Sequence, residues 1–271
     1  MDKKMKIGFV GYIQPDQPDF WENAKILAEV GYQGMEGAGR MLDDPDGLDK
    51  IKRLRDIGLE PLTVSTDIDY LTNNGIAGLP EKAAKLGVDN VSVYACSILN
   101  GHRGRDQHVT FDGFMKDVDV LAETSTALKK EGLTLRYHNH APEFKQVFDG
   151  LPAFDILMRN TDDLQVLLDV AWVAYGGADP VRIIYEWGPR LHALHLKDFQ
   201  YAPLRTAWNE RYHSAFTSVG SGVVDIRGCM KAALEFGLTW GIMEQDAMNQ
   251  LSPMDSLRAS YYNVKEYGLA E

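Results

Sequence analysis

Long apolar runs are missing from this chain: no stretch approaches the roughly 20 residues that cross a bilayer. The opening residues, MDKKMKIGFVGY, also lack the apolar core and small-residue cleavage site of a secretory signal, so a cytoplasmic protein that does not enter a membrane is expected. Cysteine is scarce. Cys96 and Cys229 are the only 2, too few and too scattered for a disulfide framework or a four-cysteine zinc site, and both read as core residues. Positive charge is in deficit, with 28 Lys and Arg against 39 Asp and Glu and a net charge of −11. Binding to nucleic acid or an anionic membrane draws on concentrated Lys and Arg, so neither is an expected partner. No Pro-rich or Ser-rich linker divides the chain, and no glycine-rich phosphate fingerprint follows its first apolar run.

What the chain does have is a repeated unit: a short β-branched or aromatic run, a turn, then a helical segment closed by glycine. The strand candidates are KIGFVG, the short GME around Glu36, PLTVST, NVSVYA, LTLRYHNH, VLLDV, LHALHL and TWGIMEQD. Glycines at 31, 58, 87, 132 and 237 stand where helices hand over to the next apolar run, the place for a left-handed C-cap. A doubly wound open sheet is the rival arrangement. Consecutive units without a phosphate fingerprint favour closure, and the expectation is an α/β (β/α)8 TIM barrel forming a single domain over residues 1–271.

Barrel enzymes carry their chemistry on the C-terminal ends of strands and the loops that follow. In the fifth run, alternation puts His138 and His140 on one side, with Glu143 just beyond. The sixth run stops at Asp169, which also suits the N-cap of the next helix. The seventh places His195 and Lys197 on a common face and His192 on the other, where it reads as packing. The eighth closes on Glu244 and Asp246. Successive strand ends thus offer an oxygen-rich mixture of carboxylate and imidazole, suited to one divalent ion such as Mn2+, Mg2+, Co2+ or Zn2+.

The fragments YHNHAPEF, LLDVAWVAYGGADP, LHALHLKDF, VGSGVVDI and GIMEQD resemble the xylose-isomerase-like superfamily of sugar-phosphate isomerases and epimerases, in its HNHxxEF and HLKD branch. The resemblance spans essentially the whole chain. It implies metal ligation by Asp169, His195 and Glu244, with a strand-five ligand that is Glu143 by preference or His138. It further implies substrate contacts for Lys197 and for the acid Glu36, while Trp172 suits stacking on a sugar face or the core.

Such a metal would polarise a carbonyl so that an ordinary side chain can remove the neighbouring proton. His140 is the expected base, and Glu143 or Glu244 the acids that share proton transfer. The expected reaction is isomerisation or epimerisation of a keto sugar or sugar derivative through an enediolate. The alternative is a lyase, because relatives with the HNH motif resemble inosose dehydratases and enzymes that cleave 3-oxo-glycosides or C-glycosides, some working with a small partner subunit. A small-molecule sugar is the expected partner, with a homo-oligomer or partner subunit left open. An abasic-site endonuclease and a non-catalytic sugar-binding barrel are the remaining rivals. The aromatic and basic stretch from Phe199 to Val219 suits a pocket wall, a partner contact or a lid.

Overall fold

A computed structural model of the chain describes residues 3–94, 96–99, 109–200, 216–248 and 250–271. The apolar runs form parallel strands: β1 (Lys6–Val10), β2 (Gly34–Met35), β3 in two pieces (Glu60–Pro61 and Val64–Thr66), β4 (Asn90–Val93), β5 (Thr134–His138), β6 (Gln165–Asp169), β7 (Leu191–Leu196) and β8 (Trp240–Glu244). Their spatial order starts at the first piece of β3 and runs through β2, β1, β8, β7, β6, β5 and β4 to its second piece. Glu60–Pro61 pairs with β2 while Val64–Thr66 pairs with β4, so the two sheet edges are consecutive parts of one segment. The sheet therefore closes into the expected barrel, and closure removes the exposed edges of an open sheet.

Helices between the strands cover the outside. Each of Gly31, Gly58, Gly87, Gly132 and Gly237 has a positive φ, as the handover positions require. At Gly87, with φ 65°, the left-handed cap ends the helix Leu79–Leu86 and its N–H returns to Ala84 O at 3.2 Å.

Side chains alternate across the sheet. Outward residues such as Phe9, Leu135, Val166, Leu194 and Met243 join the main core under the helices. Inward residues Leu62, Leu167, Ala193 and Ile242 form a separate apolar plug within the barrel. Leu62 sits in the gap between the two pieces of β3 and fills space that glycine leaves on β1 and β2. A Cβ at Gly8 would come within 2.7 Å of Leu62, and one at Gly34 within 2.6 Å. One pleat beyond the plug on β6, β7 and β8 the inward positions turn polar, at Asp169, His195 and Glu244. No described helix is long and apolar enough to cross a membrane.

Overpacking of this kind typically costs about 1–3 kcal/mol. Gly34→Ala is therefore expected to lower stability by about that amount in urea denaturation, and adding Leu62→Val should recover part of the loss. An unchanged midpoint would show that Leu62 does not need the space.

Candidate metal centre

Alternation and register carry four side chains to one point. His195 aligns with Asp169 across the β7–β6 pair and with Ile242 across the β7–β8 pair, which leaves Glu244 one pleat above the plug. One ligand atom from each of His138, Asp169, His195 and Glu244 lies within 4.8 Å of the others. The first three are buried and Glu244 is half-buried. Asp169 serves twice: Oδ1 accepts from Trp172 N at 2.8 Å, capping the helix Val170–Tyr175, while Oδ2 faces Lys197 Nζ at 3.0 Å. Asn139 fixes the same strand end, accepting from Asp169 N at 2.9 Å and donating to its carbonyl at 3.2 Å.

The local charges determine each group's state. Burial alone would depress His195, but Glu244 at 2.6 Å from Nδ1 and Glu36 at 2.9 Å from Nε2 raise its pKa to about 9. Burial would likewise discharge Lys197, yet Asp169, Asp246 at 2.6 Å and Glu244 at 3.3 Å hold it as an ammonium. The same cations act on the acids. Burial raises Asp169 to about 7 in spite of Lys197, whereas for Glu244 the pull of Lys197 and His195 overcomes burial and keeps the carboxyl well below its ordinary range. His138 is held well below its ordinary value by burial and by His195, so its ring is neutral and can donate a lone pair.

The expected ligands Asp169, His195 and Glu244 do converge, and the strand-five member of the converging group is His138. Glu143 is not among them. It lies in the short helix Pro142–Lys145, where Oε1 accepts from Tyr137 Oη at 2.7 Å. Tyr137 Oη in turn lies 2.9 Å from Cys96 Sγ, and burial pushes the Glu143 carboxyl up to about 7. Glu36, read as a substrate contact, is buried and committed. Arg136 donates to its Oε1, while Tyr94 Oη at 2.8 Å and His195 Nε2 share its Oε2. Burial would raise Glu36, but His195 and Arg136 outweigh it and lower it.

Arg136, Tyr94 and Asn139 were not singled out by sequence reasoning, and Asp246 was noted only as an acid closing the eighth run. Of the first three only Arg136 carried a signal, a cation in the middle of the apolar strand Thr134–His138. His192, expected on the outer face, sits at a register shift between Leu191 and Ala193, and its Nδ1 lies 3.4 Å from Arg136 Nη1.

Around the group, His140 is half-buried with its ring 4.7 Å from His138 and 5.7 Å from Trp172. Trp172 belongs to a small aromatic core with Phe199 and Phe216, and Lys197 Nζ lies 4.8 Å from its ring. Asp198, next to Lys197, accepts from the backbone N–H groups of Phe199, Gly220, Gly222 and Val224 at 2.8–3.1 Å. Asp198–Phe199 then pairs antiparallel with Phe216–Thr217; residues 201–215 between them, within the stretch read as wall or lid, lie outside the described residues. On the other side, a cavity of about 450 Å³ is lined by Glu36, Tyr94 and Glu244 and by Gln14, Arg40 and Lys82. That is ample for a monosaccharide-sized ligand.

The donor set fits a divalent cation. It mixes two imidazoles with two carboxylates at coordination-scale spacing, and one of its buried atoms, His138 Nδ1, has no hydrogen bond among the described residues. A closed parallel barrel with such a group on its strand ends defines a class of metal-competent α/β barrels. Within that class, the chain belongs to the xylose isomerase-like TIM barrel family, whose model matches residues 24–260.

Among curated proteins, an inosose dehydratase of Geobacillus kaustophilus is 27% identical over 52% of this chain and 48% of its own length. One from Clostridium beijerinckii is 24% identical over 84% of this chain and 85% of its own. Among solved structures, a sugar phosphate isomerase/epimerase from Parabacteroides distasonis superposes with TM-score 0.74 at 19% identity, covering 100% of this chain and 96% of that one. An IolI protein with a bound zinc atom gives 0.72 at 17% identity, covering 97% and 98%.

Because His195 keeps both ring protons up to about pH 9, the Nδ1 proton must leave before that nitrogen can donate to a cation. Metal affinity is expected to climb as pH rises toward 9, with proton release that calorimetry in two buffers of different ionisation heat would count. The metal-free fold has the opposite slope from this residue. Its value lies above the ordinary 6.5, so its stabilisation is full below that pH and is lost as pH rises through about 9. An affinity independent of pH would exclude His195 as a ligand.

Proposed function

We propose that this protein is a divalent-metal-dependent enzyme that removes the proton beside the carbonyl of a keto sugar or sugar derivative, forming an enediolate. The observation that carries this reading is the convergence of His138, Asp169, His195 and Glu244 beside a sugar-sized cavity. These residues would hold the ion, with Mn2+ the first choice for a site that mixes imidazole and carboxylate. When bound, the ion supplies Lewis-acid polarisation of vicinal carbonyl and hydroxyl oxygens and so lowers the pKa of the adjacent C–H.

The chain's own groups do the rest. Lys197, kept cationic by three carboxylates, donates to a substrate oxygen and does not act as a base. His140, half-buried beside Trp172 and 4.7 Å from the His138 ring, takes the proton. Trp172 forms the apolar wall against which a sugar face rests. Glu143, with its carboxyl near 7, accepts or returns a proton at little cost.

Returning the proton at the neighbouring carbon isomerises the sugar, and returning it on the opposite face epimerises it. A second reading, dehydration, keeps the same first step and then expels a β-hydroxyl as water. The similarity to inosose dehydratases over most of the chain favours it specifically.

Purified protein loaded with Mn2+ and offered inososes, 3-oxo-glycosides and ketohexoses in deuterated water is expected to exchange the α-proton of its substrate; products that keep every heavy atom of the substrate and gain deuterium would mark an isomerase or epimerase, and loss of water a dehydratase. Glu244→Gln should lose most metal and turnover while keeping the fold, and His140→Asn should bind metal but react roughly a hundredfold more slowly. Full turnover by Glu244→Gln would overturn the proposal.

A further inference from the structure

We infer that Glu36, clamped by Arg136, is a positioning residue that decides which nitrogen His195 turns toward the metal group; this rests on the metal-centre reading above. A histidine ligand has two ring nitrogens, and the hydrogen bond made by one selects the other for the cation. His195 Nε2 lies 2.9 Å from Glu36 Oε2, while Nδ1 faces Glu244 at 2.6 Å. Glu36 therefore takes the Nε2 proton and leaves Nδ1 to the ion.

Its own surroundings hold Glu36 in place. It is 1% exposed, Arg136 occupies Oε1, Tyr94 Oη shares Oε2 at 2.8 Å, and Arg136 Nε is itself tied to Ser92 Oγ. Side chains from β4 and β5 thus immobilise one carboxylate behind the ring. Arg136 also neutralises Glu36, so the carboxylate remains an acceptor without becoming a competing ligand. An ordinary structural ion pair needs no oxygen aimed at His195.

The test is metal binding by the chelator-stripped protein, read by Co2+ visible absorption and by Mn2+ titration calorimetry. Glu36→Gln is expected to bind 10–100-fold more weakly, with an altered Co2+ spectrum and unchanged helical content. Arg136→Lys, which keeps a cation behind Glu36, should restore most of the affinity that Arg136→Met loses. If Glu36→Gln does not fold, the double variant Glu36→Leu with Arg136→Met removes both charges together and should show the same weakening. Unchanged affinity and spectrum in the Glu36 variants, in a protein whose His195→Ala variant no longer binds Co2+, would overturn this inference alone. Full Co2+ binding by His195→Ala would instead overturn the metal centre, and this inference with it.

Discussion

Charges buried together must cancel, and this condition governs the upper half of the barrel. An uncompensated carboxylate or ammonium in a protein interior costs several kcal/mol. Here the buried Glu36 and Asp169, the half-buried Glu244 and the exposed Asp246 meet three cations, Arg136, His195 and Lys197, through contacts of hydrogen-bond length. With every acid of the set ionised, it is one positive charge short. A divalent ion that arrives as His195 gives up a proton would bring it to neutrality, so the electrostatics of the group and the chemistry of its donors favour the same occupant. The apolar plug of Leu62, Leu167, Ala193 and Ile242 closes the barrel beneath these charges.

The barrel was legible because each strand is a compact apolar run and the glycine handovers recur with it. All eight anticipated runs became strands of the closed sheet. The split in β3 was not legible. It depends on which neighbour each half of residues 60–66 bonds to, and Leu62 is accommodated only because glycines on β1 and β2 leave it room.

The site divides along the same line. Asp169, His195 and Glu244 were readable because a polar residue closing an apolar strand keeps the strand's alternation. That alternation holds through His138 and then ends, and Glu143 lies on a separate helical turn whose direction no period specifies. That Tyr94 and Arg136 would hold Glu36 was not legible, because they lie 58 and 100 residues along the chain. Contacts at such separation are created by barrel closure and leave no local pattern. His192 shows the converse: a register shift inside β7 cancels a facing that the alternation implied.

Asp198 has a consequence for how this scaffold can change. By gathering the N–H groups of Phe199, Gly220, Gly222 and Val224, it welds the end of β7 to the turn leading into the next helix. Phe199 and Phe216 are therefore held side by side as a fixed pair of anchor points next to Lys197. Closing a longer or shorter excursion between fixed ends costs only a logarithmic term in its length. Natural variation or deliberate grafting can thus alter the length of sequence joining these two anchor points at small energetic cost, without disturbing the charges beside them.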